Sequence, residues 1–95
     1  MATFTLICTD HPNSVDKRLA AREAHLAYVA AHRGMLKLAG PLLDEAGDMA
    51  GSLFIIEAET KDEVEAFNAQ DPYTLAGVFE SVVVRAIRIT VGAIA

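Results

Sequence analysis

Three side chains able to hold or move a proton stand out in the chain: Arg22, His25 and Asp71. Arg22 and His25 are three residues apart, so on a helix they are neighbours one turn apart. At about 100° per residue, Val15, Leu19, Leu26 and Val29 fall on one side of such a helix, and Arg22 lies inside that apolar stripe with His25 at its edge. A guanidinium facing a core must be paired or must reach a cavity, because an unpaired buried charge is strongly unfavourable. Arg22 and His25 are therefore expected to look toward a shared boundary between core and solvent. An arginine can also snorkel past its stripe, and a lone helical histidine is more often an ordinary surface or core residue.

Asp71-Pro72-Tyr73 adds a second feature. Taken alone, an aspartate before proline is a turn residue at a helix end. If two helices lie side by side on one sheet face, however, the loop after the second approaches the middle of the first. A carboxylate beside an imidazole fixes its tautomer and favours its protonated form, which prepares it for proton transfer near neutral pH.

Other chemistries fit less well. His25 and His32 are two helical turns apart, roughly 10 Å along the axis, too far for one metal ion to bridge. His11 brings no second ligand of fitting spacing. Cys8 lies in mid-strand and reads as a small core residue rather than a nucleophile. The chain has no glycine-rich phosphate loop. Neither a metal nor a cofactor is expected.

The elements that must position these residues read as βαββαβ. Residues 3–9 are β-rich and end at the turn Asp10-His11-Pro12. Asn13 is a candidate cap for a helix that carries Asp16 in its first turn, runs to about His32 and stops at Gly34. A second strand over 35–43 contains Gly40-Pro41, so it is kinked or at an edge. After a loop at 44–48, a third strand spans 52–58. Thr60 and Glu63 form a capping box for a second helix whose apolar face holds Val64 and Phe67. Asp71-Pro72-Tyr73 ends or redirects that helix. Residues 75–79 form a connector and 82–90 the last strand.

This order predicts a single ferredoxin-like α+β domain over 1–95, a four-stranded antiparallel sheet with two helices on one face. Both sheet faces are apolar. Phe4, Leu6 and Cys8 oppose Thr5 and Ile7; Phe54, Ile56 and Ala58 oppose Leu53 and Ile55; Val83, Ile87 and Ile89 oppose Val82, Val84 and Ala86. Two helices cover one face only, so the other is expected to meet a second copy, sheet against sheet, in a two-fold homodimer. Composition agrees: 53% hydrophobic residues and a mean hydropathy of +0.30 are high for 95 residues. A domain of this size buries only about 60–65% of its unfolded surface by itself.

A net charge of −5 with scattered basic residues disfavours nucleic acid and anionic membranes as partners. RNA-recognition modules share the βαββαβ order but carry stacking aromatics and basic neighbours on their central strands. The run Ser52-Leu53-Phe54-Ile55-Ile56-Glu57 has one aromatic and an acid. No apolar run reaches the ~18–20 residues of a membrane span, the N-terminus has no signal-peptide pattern, and one cysteine excludes an internal disulfide. A cytoplasmic location is expected.

Several short motifs then combine. Arg22-Glu23-Ala24-His25-Leu26 resembles the R-x-x-H-L segment of the YCII-related (YciI-like) family. Ala39-Gly40-Pro41-Leu42 resembles its A-G-P strand end, Gly51-Ser52 its G-S strand start, and Asp71-Pro72-Tyr73 with Ala76-Gly77-Val78 its D-P-Y-x-x-A-G-V ending. The resemblance covers nearly the whole chain in order and spacing. It implies a dimeric ferredoxin-like α/β barrel with a pocket near His25 and Asp71, and it links the chain to relatives that dehydrochlorinate chlorinated hydroxyquinols. One departure is Arg85-Ala86-Ile87, where the family often has Lys-Pro-Phe.

The resulting expectation is a small enzyme doing cofactor-free acid/base chemistry, elimination or isomerisation, on a small anionic or quinol-like substrate. His25 is the expected proton shuttle, Asp71 its orienting carboxylate and Arg22 the binder of substrate charge, with Tyr73, Gly40 and Ser52 lining the pocket. The alternative is a non-catalytic, small-ligand-binding or stress-associated homodimer using the same pocket. An open cavity beside a hydrogen-bonded His25–Asp71 pair favours a ligand site over a sealed structural cluster.

Overall fold

Alternating side chains make the first strand two-faced: Phe4, Leu6 and Cys8 point into the core, and Thr5 and Ile7 point away from it. In the computed structural model, which describes residues 1–93, this strand is β1 (Ala2–Asp10). It is followed by α1 (Val15–Ala31), β2 (Leu36–Leu43), β3 (Met49–Ala58), α2 (Lys61–Ala69), the one-turn α3 (Pro72–Leu75) and β4 (Phe79–Ala86). All strand pairs are antiparallel and the sheet order is β2-β3-β1-β4. With β1 and β3 central and the helices as crossovers, this is the ferredoxin-like fold.

The register aligns the core rows. Phe4 lies opposite Ile56, Leu6 opposite Phe54 and Cys8 opposite Ser52. Val64 and Phe67 of α2 pack on these inner side chains, and Tyr28 and Val29 of α1 close the core at its edge. Thr60 caps α2 as read from the sequence, its Oγ1 accepting from the Glu63 amide at 3.3 Å; that is the Thr60 half of the expected capping box. Gly40-Pro41 sits in β2, an edge strand, where a missing amide donor is tolerated.

Four boundaries differ from the sequence reading, one of them the start of β3, which is at Met49 rather than 52. Ser14, not Asn13, is the N-cap of α1; Asn13 adopts φ 60°, a left-handed conformation that asparagine tolerates, in the turn before it. At the other end His32 is the C-cap, and the turn closes through the Met35 amide on the His32 carbonyl at 3.1 Å rather than through a left-handed Gly34. The last strand is Phe79–Ala86, not 82–90. Its pairing with β1 ends where Ala86 lies opposite Phe4, although Thr3 and Ala2 continue to pair with β3 on the other side of β1. A final bond joins the Ile87 amide to the Thr3 carbonyl at 2.9 Å, and the chain then leaves the sheet despite the continuing apolar alternation. The expected connector is itself ordered: 72–75 are helical, Gly77 turns the chain with φ 75°, and Val78 is buried.

The sheet face away from the helices carries Leu38 and Val83, and the tail adds Ile87 and Ile89, each at least 40% exposed. Arg85-Ala86-Ile87, the departure from the family pattern, lies at the far end of β4, outside the cavity described below. Among the described residues no helix is long and apolar enough to cross a membrane.

Candidate functional site

The inward face of α1 is not the one its leucines mark. Arg18, Ala21, His25, Tyr28, Val29 and His32 turn toward the sheet, at the three- and four-residue spacing of a helical stripe. Leu19 and Leu26 are 52% and 53% exposed. The buried arginine is therefore Arg18, at 1% exposure, and Arg22 is exposed. The apolar-stripe rule misplaced the helix by part of a turn, because the core side of α1 is occupied by polar, aromatic and small residues that make specific bonds.

Arg18 is held from below by the end of β1. Its Nε donates to Asp10 Oδ2 at 2.5 Å and its Nη2 to Asp10 Oδ1 at 3.0 Å, a bidentate grip between two almost fully buried side chains. Nη2 also donates to Ser52 Oγ at 2.8 Å. Ser52 is placed by its neighbour Gly51, where any Cβ would sit 2.5 Å from the Cys8 carbonyl oxygen; only glycine lets β3 approach β1 this closely.

Two turns further along α1, His25 meets Asp71. Asp71 is fully buried and is the N-cap of α3, its Oδ1 accepting from the Tyr73 amide at 2.9 Å. Thus the turn role and the pairing role fall on one residue. The same Oδ1 lies 2.8 Å from His25 Nδ1. A carboxylate only accepts, so Nδ1 carries the hydrogen, and in the neutral ring Nε2 is then the acceptor nitrogen. Asp71 Oδ2 is buried with no partner among the described residues. The His25 ring stacks on Tyr73, with centroids 3.8 Å apart and planes 13° from parallel, and Arg18 Cζ lies 4.7 Å from the same Tyr73 centroid.

His25, Arg22, Tyr73, Gly40 and Ser52 all line one open cavity of about 200 Å³ between α1 and the β2–β3 edge, joined by Arg18 and Phe54. Asp71 stands behind His25 rather than in the wall. A Cβ at Gly40 would meet nothing within 4 Å, so glycine there leaves room. Burial pushes the Tyr73 phenol above its ordinary range, against the downward pull of Arg18. Burial, reinforced by the Asp71 carboxylate, pushes the Cys8 thiol up to about 12. Cys8 is thus a protonated core residue.

Asp10 and Arg18 were not singled out from the sequence. The signal that finds Arg18 is the spacing of Arg18, His25 and His32, seven residues apart each, a polar row that coincides with the buried side of the helix.

Comparisons with known proteins agree with this architecture. The YCII-related domain matches residues 2–88. An uncharacterised protein of Haemophilus influenzae is 36% identical over 91 residues, covering 86% of this chain and 92% of that protein. Protein YciI of Escherichia coli O6:H1 is 36% identical over 90 residues, with the same coverage of 86% and 92%. Among solved structures, 5-chloro-2-hydroxyhydroquinone dehydrochlorinase (TftG) from Burkholderia phenoliruptrix AC1100, in complex with 2,5-dihydroxybenzoquinone, superposes with a TM-score of 0.83 at 35% identity, covering 90% of this chain and 93% of that one. An antibiotic biosynthesis monooxygenase shares the fold alone, at 12% identity and a TM-score of 0.55 with 95% and 99% coverage. With the domain match spanning residues 2–88 and relatives above one-third identity over 92% of their length, this chain belongs to the YCII-related family.

Proposed function

We propose that this protein is a small acid/base enzyme, dehydrochlorinase-like, that moves protons on a quinol-like substrate without a cofactor. The observation that carries the reading is the His25–Asp71 hydrogen bond beside an open cavity, with Nε2 as the ring nitrogen left for a substrate. The structural similarity to a dehydrochlorinase of hydroxyquinols supports the substrate class.

In this reading His25 Nε2 takes a proton from a ring hydroxyl, and the electron density released into the ring lets the chlorine-bearing carbon be protonated. Removal of a second hydroxyl proton then expels chloride. The net change is loss of HCl, with the ring's electron pair leaving on chloride and no outside oxidant. Asp71 holds the ring orientation and stabilises the imidazolium as it forms. Arg22, exposed at the cavity, is suited to attract the phenolate charge. The cavity, of about 200 Å³, suits a single ring.

We further propose that the protein works as a homodimer through the apolar sheet face, with Leu38, Val83 and Ile87 at its centre. A stable dimer of this kind buries at least ~1,200 Å² in total. Sedimentation at micromolar concentration is expected to show about twice the 10.2 kDa chain mass; a monomer there refutes the dimer.

The functional test is chloride release from 5-chloro-2-hydroxyhydroquinone. Wild type is expected to release chloride well above the uncatalysed rate and His25→Gln about 10²–10⁴-fold more slowly. Tight binding of 2,5-dihydroxybenzoquinone without turnover would instead favour a non-catalytic ligand-binding role for the same pocket.

A further inference from the structure

The cavity wall holds a second buried polar group whose hydrogen bonding is only half complete. Ser52 is 4% exposed and faces the cavity from β3. A serine hydroxyl has one proton to donate and two lone pairs that accept. One lone pair is taken by Arg18 Nη2 at 2.8 Å. Arginine has no acceptor, so it cannot receive the serine proton, and among the described residues no other group does. A buried donor left without an acceptor is destabilising, which is why such groups normally find one. Here the cavity is the space from which one can come.

The arrangement also strengthens the donor. Asp10 locks the guanidinium from the far side, so Arg18 has one fixed position and holds the Ser52 oxygen in turn. A cationic donor on that oxygen draws electron density from it and makes its own O–H a better donor.

Resting on the reading of this cavity as the substrate site, we propose that Ser52 donates a hydrogen bond to an oxygen of the bound molecule, through the relay Asp10–Arg18–Ser52. The cavity then offers one acceptor, His25 Nε2, and one donor, Ser52 Oγ–H. Its ligand is a ring carrying two kinds of oxygen: a hydroxyl that gives its proton to His25 and a carbonyl or phenolate that accepts from Ser52. In a hydroxyquinol the second oxygen gains negative charge when its own proton is removed in the step that expels chloride, so the bond strengthens as that step proceeds.

Two measurements test this. Titration with 2,5-dihydroxybenzoquinone is expected to show about tenfold weaker binding in Ser52→Ala and near-normal binding in Ser52→Thr, which keeps the hydroxyl. Equal weakening in both, or none in either, overturns the donor role; a lowered melting temperature with unchanged affinity in Ser52→Ala would make Ser52 only a prop for Arg18. The second measurement needs no quinone: a neutron structure of the unliganded protein is expected to show the Ser52 hydroxyl deuterium aimed into the cavity. A deuterium aimed at a protein acceptor overturns the proposal. Wild-type protein that binds no quinone but keeps that deuterium in the cavity refutes the hydroxyquinol reading and leaves the donor assignment standing.

Discussion

Two buried carboxylates anchor two basic side chains of the same helix, and they do so differently. Asp10 uses both oxygens on Arg18, whose charge is permanent, and the guanidinium spends a further donor on Ser52. Asp71 uses one oxygen for both His25 and the Tyr73 amide and leaves the other without a protein partner. The first pair joins both carboxylate oxygens to a permanently charged guanidinium, which suits a fixed support. The second is under-satisfied and contains the one side chain type whose unperturbed pKa lies near neutrality, which suits a group that must exchange a proton. Tyr73 touches both clusters, so support and shuttle are packed as one unit.

The contrast can be broken most severely at the support. Asp10→Ala leaves the Arg18 guanidinium buried and unpaired, and is expected to destabilise the fold by about 3–5 kcal/mol in urea melts. A loss below ~1 kcal/mol would mean that Arg18 escapes to solvent and is no fixed support. At the shuttle the expected pattern is reversed: activity suffers and stability hardly changes. Asp71→Asn should slow turnover about 10²–10⁴-fold while costing at most ~2 kcal/mol in stability, and nitrogen NMR should show the neutral His25 ring losing its Nδ1–H tautomer. An unchanged tautomer would show that Asp71 does not orient the ring.

Cys8 reports on both clusters from the core, because its thiol is raised by burial first and by the Asp71 charge next, with Arg18 opposing and Asp10 adding. Below pH 9 the thiol is protonated in folded and unfolded chains alike, so no stability is lost through it. Between pH 9 and about 12 the unfolded chain gives up the proton and the folded one keeps it. Stability is then expected to fall by about 1.4 kcal/mol per pH unit through this group, a decline that Cys8→Ala should remove from alkaline melts. An identical alkaline decline in Cys8→Ala would assign it to other groups. The smallest effect is expected where the clusters meet: Tyr73→Leu keeps the apolar bulk but loses the ring stacking, at about 1 kcal/mol, with the His25 ring becoming more mobile by NMR. A loss above ~3 kcal/mol would mean that Tyr73 supports the core rather than the two side chains.

What the sequence determined by itself is the set of elements and the two-faced sheet, because both follow from local rules. Period-two alternation in β1 and β3, the Thr60–Glu63 cap and Gly40-Pro41 in an edge strand act within a few residues and need no knowledge of neighbours. The pairing of His25 with Asp71 was legible only in combination: motif resemblance named both residues, but their separation of 46 positions left the 2.8 Å contact to the fold. The tertiary structure alone decided the rest. It ended β4 at Ala86, opposite Phe4, although the apolar alternation continues, and it rotated α1 so that Arg18 rather than Arg22 entered the core. For the helix the physical reason is visible. A hydrophobic pattern ranks faces by the water they shed, but Asp10 and Ser52 offer Arg18 a set of buried hydrogen bonds that outweighs exposing Leu19 and Leu26, and no local pattern records a partner that arrives from another strand.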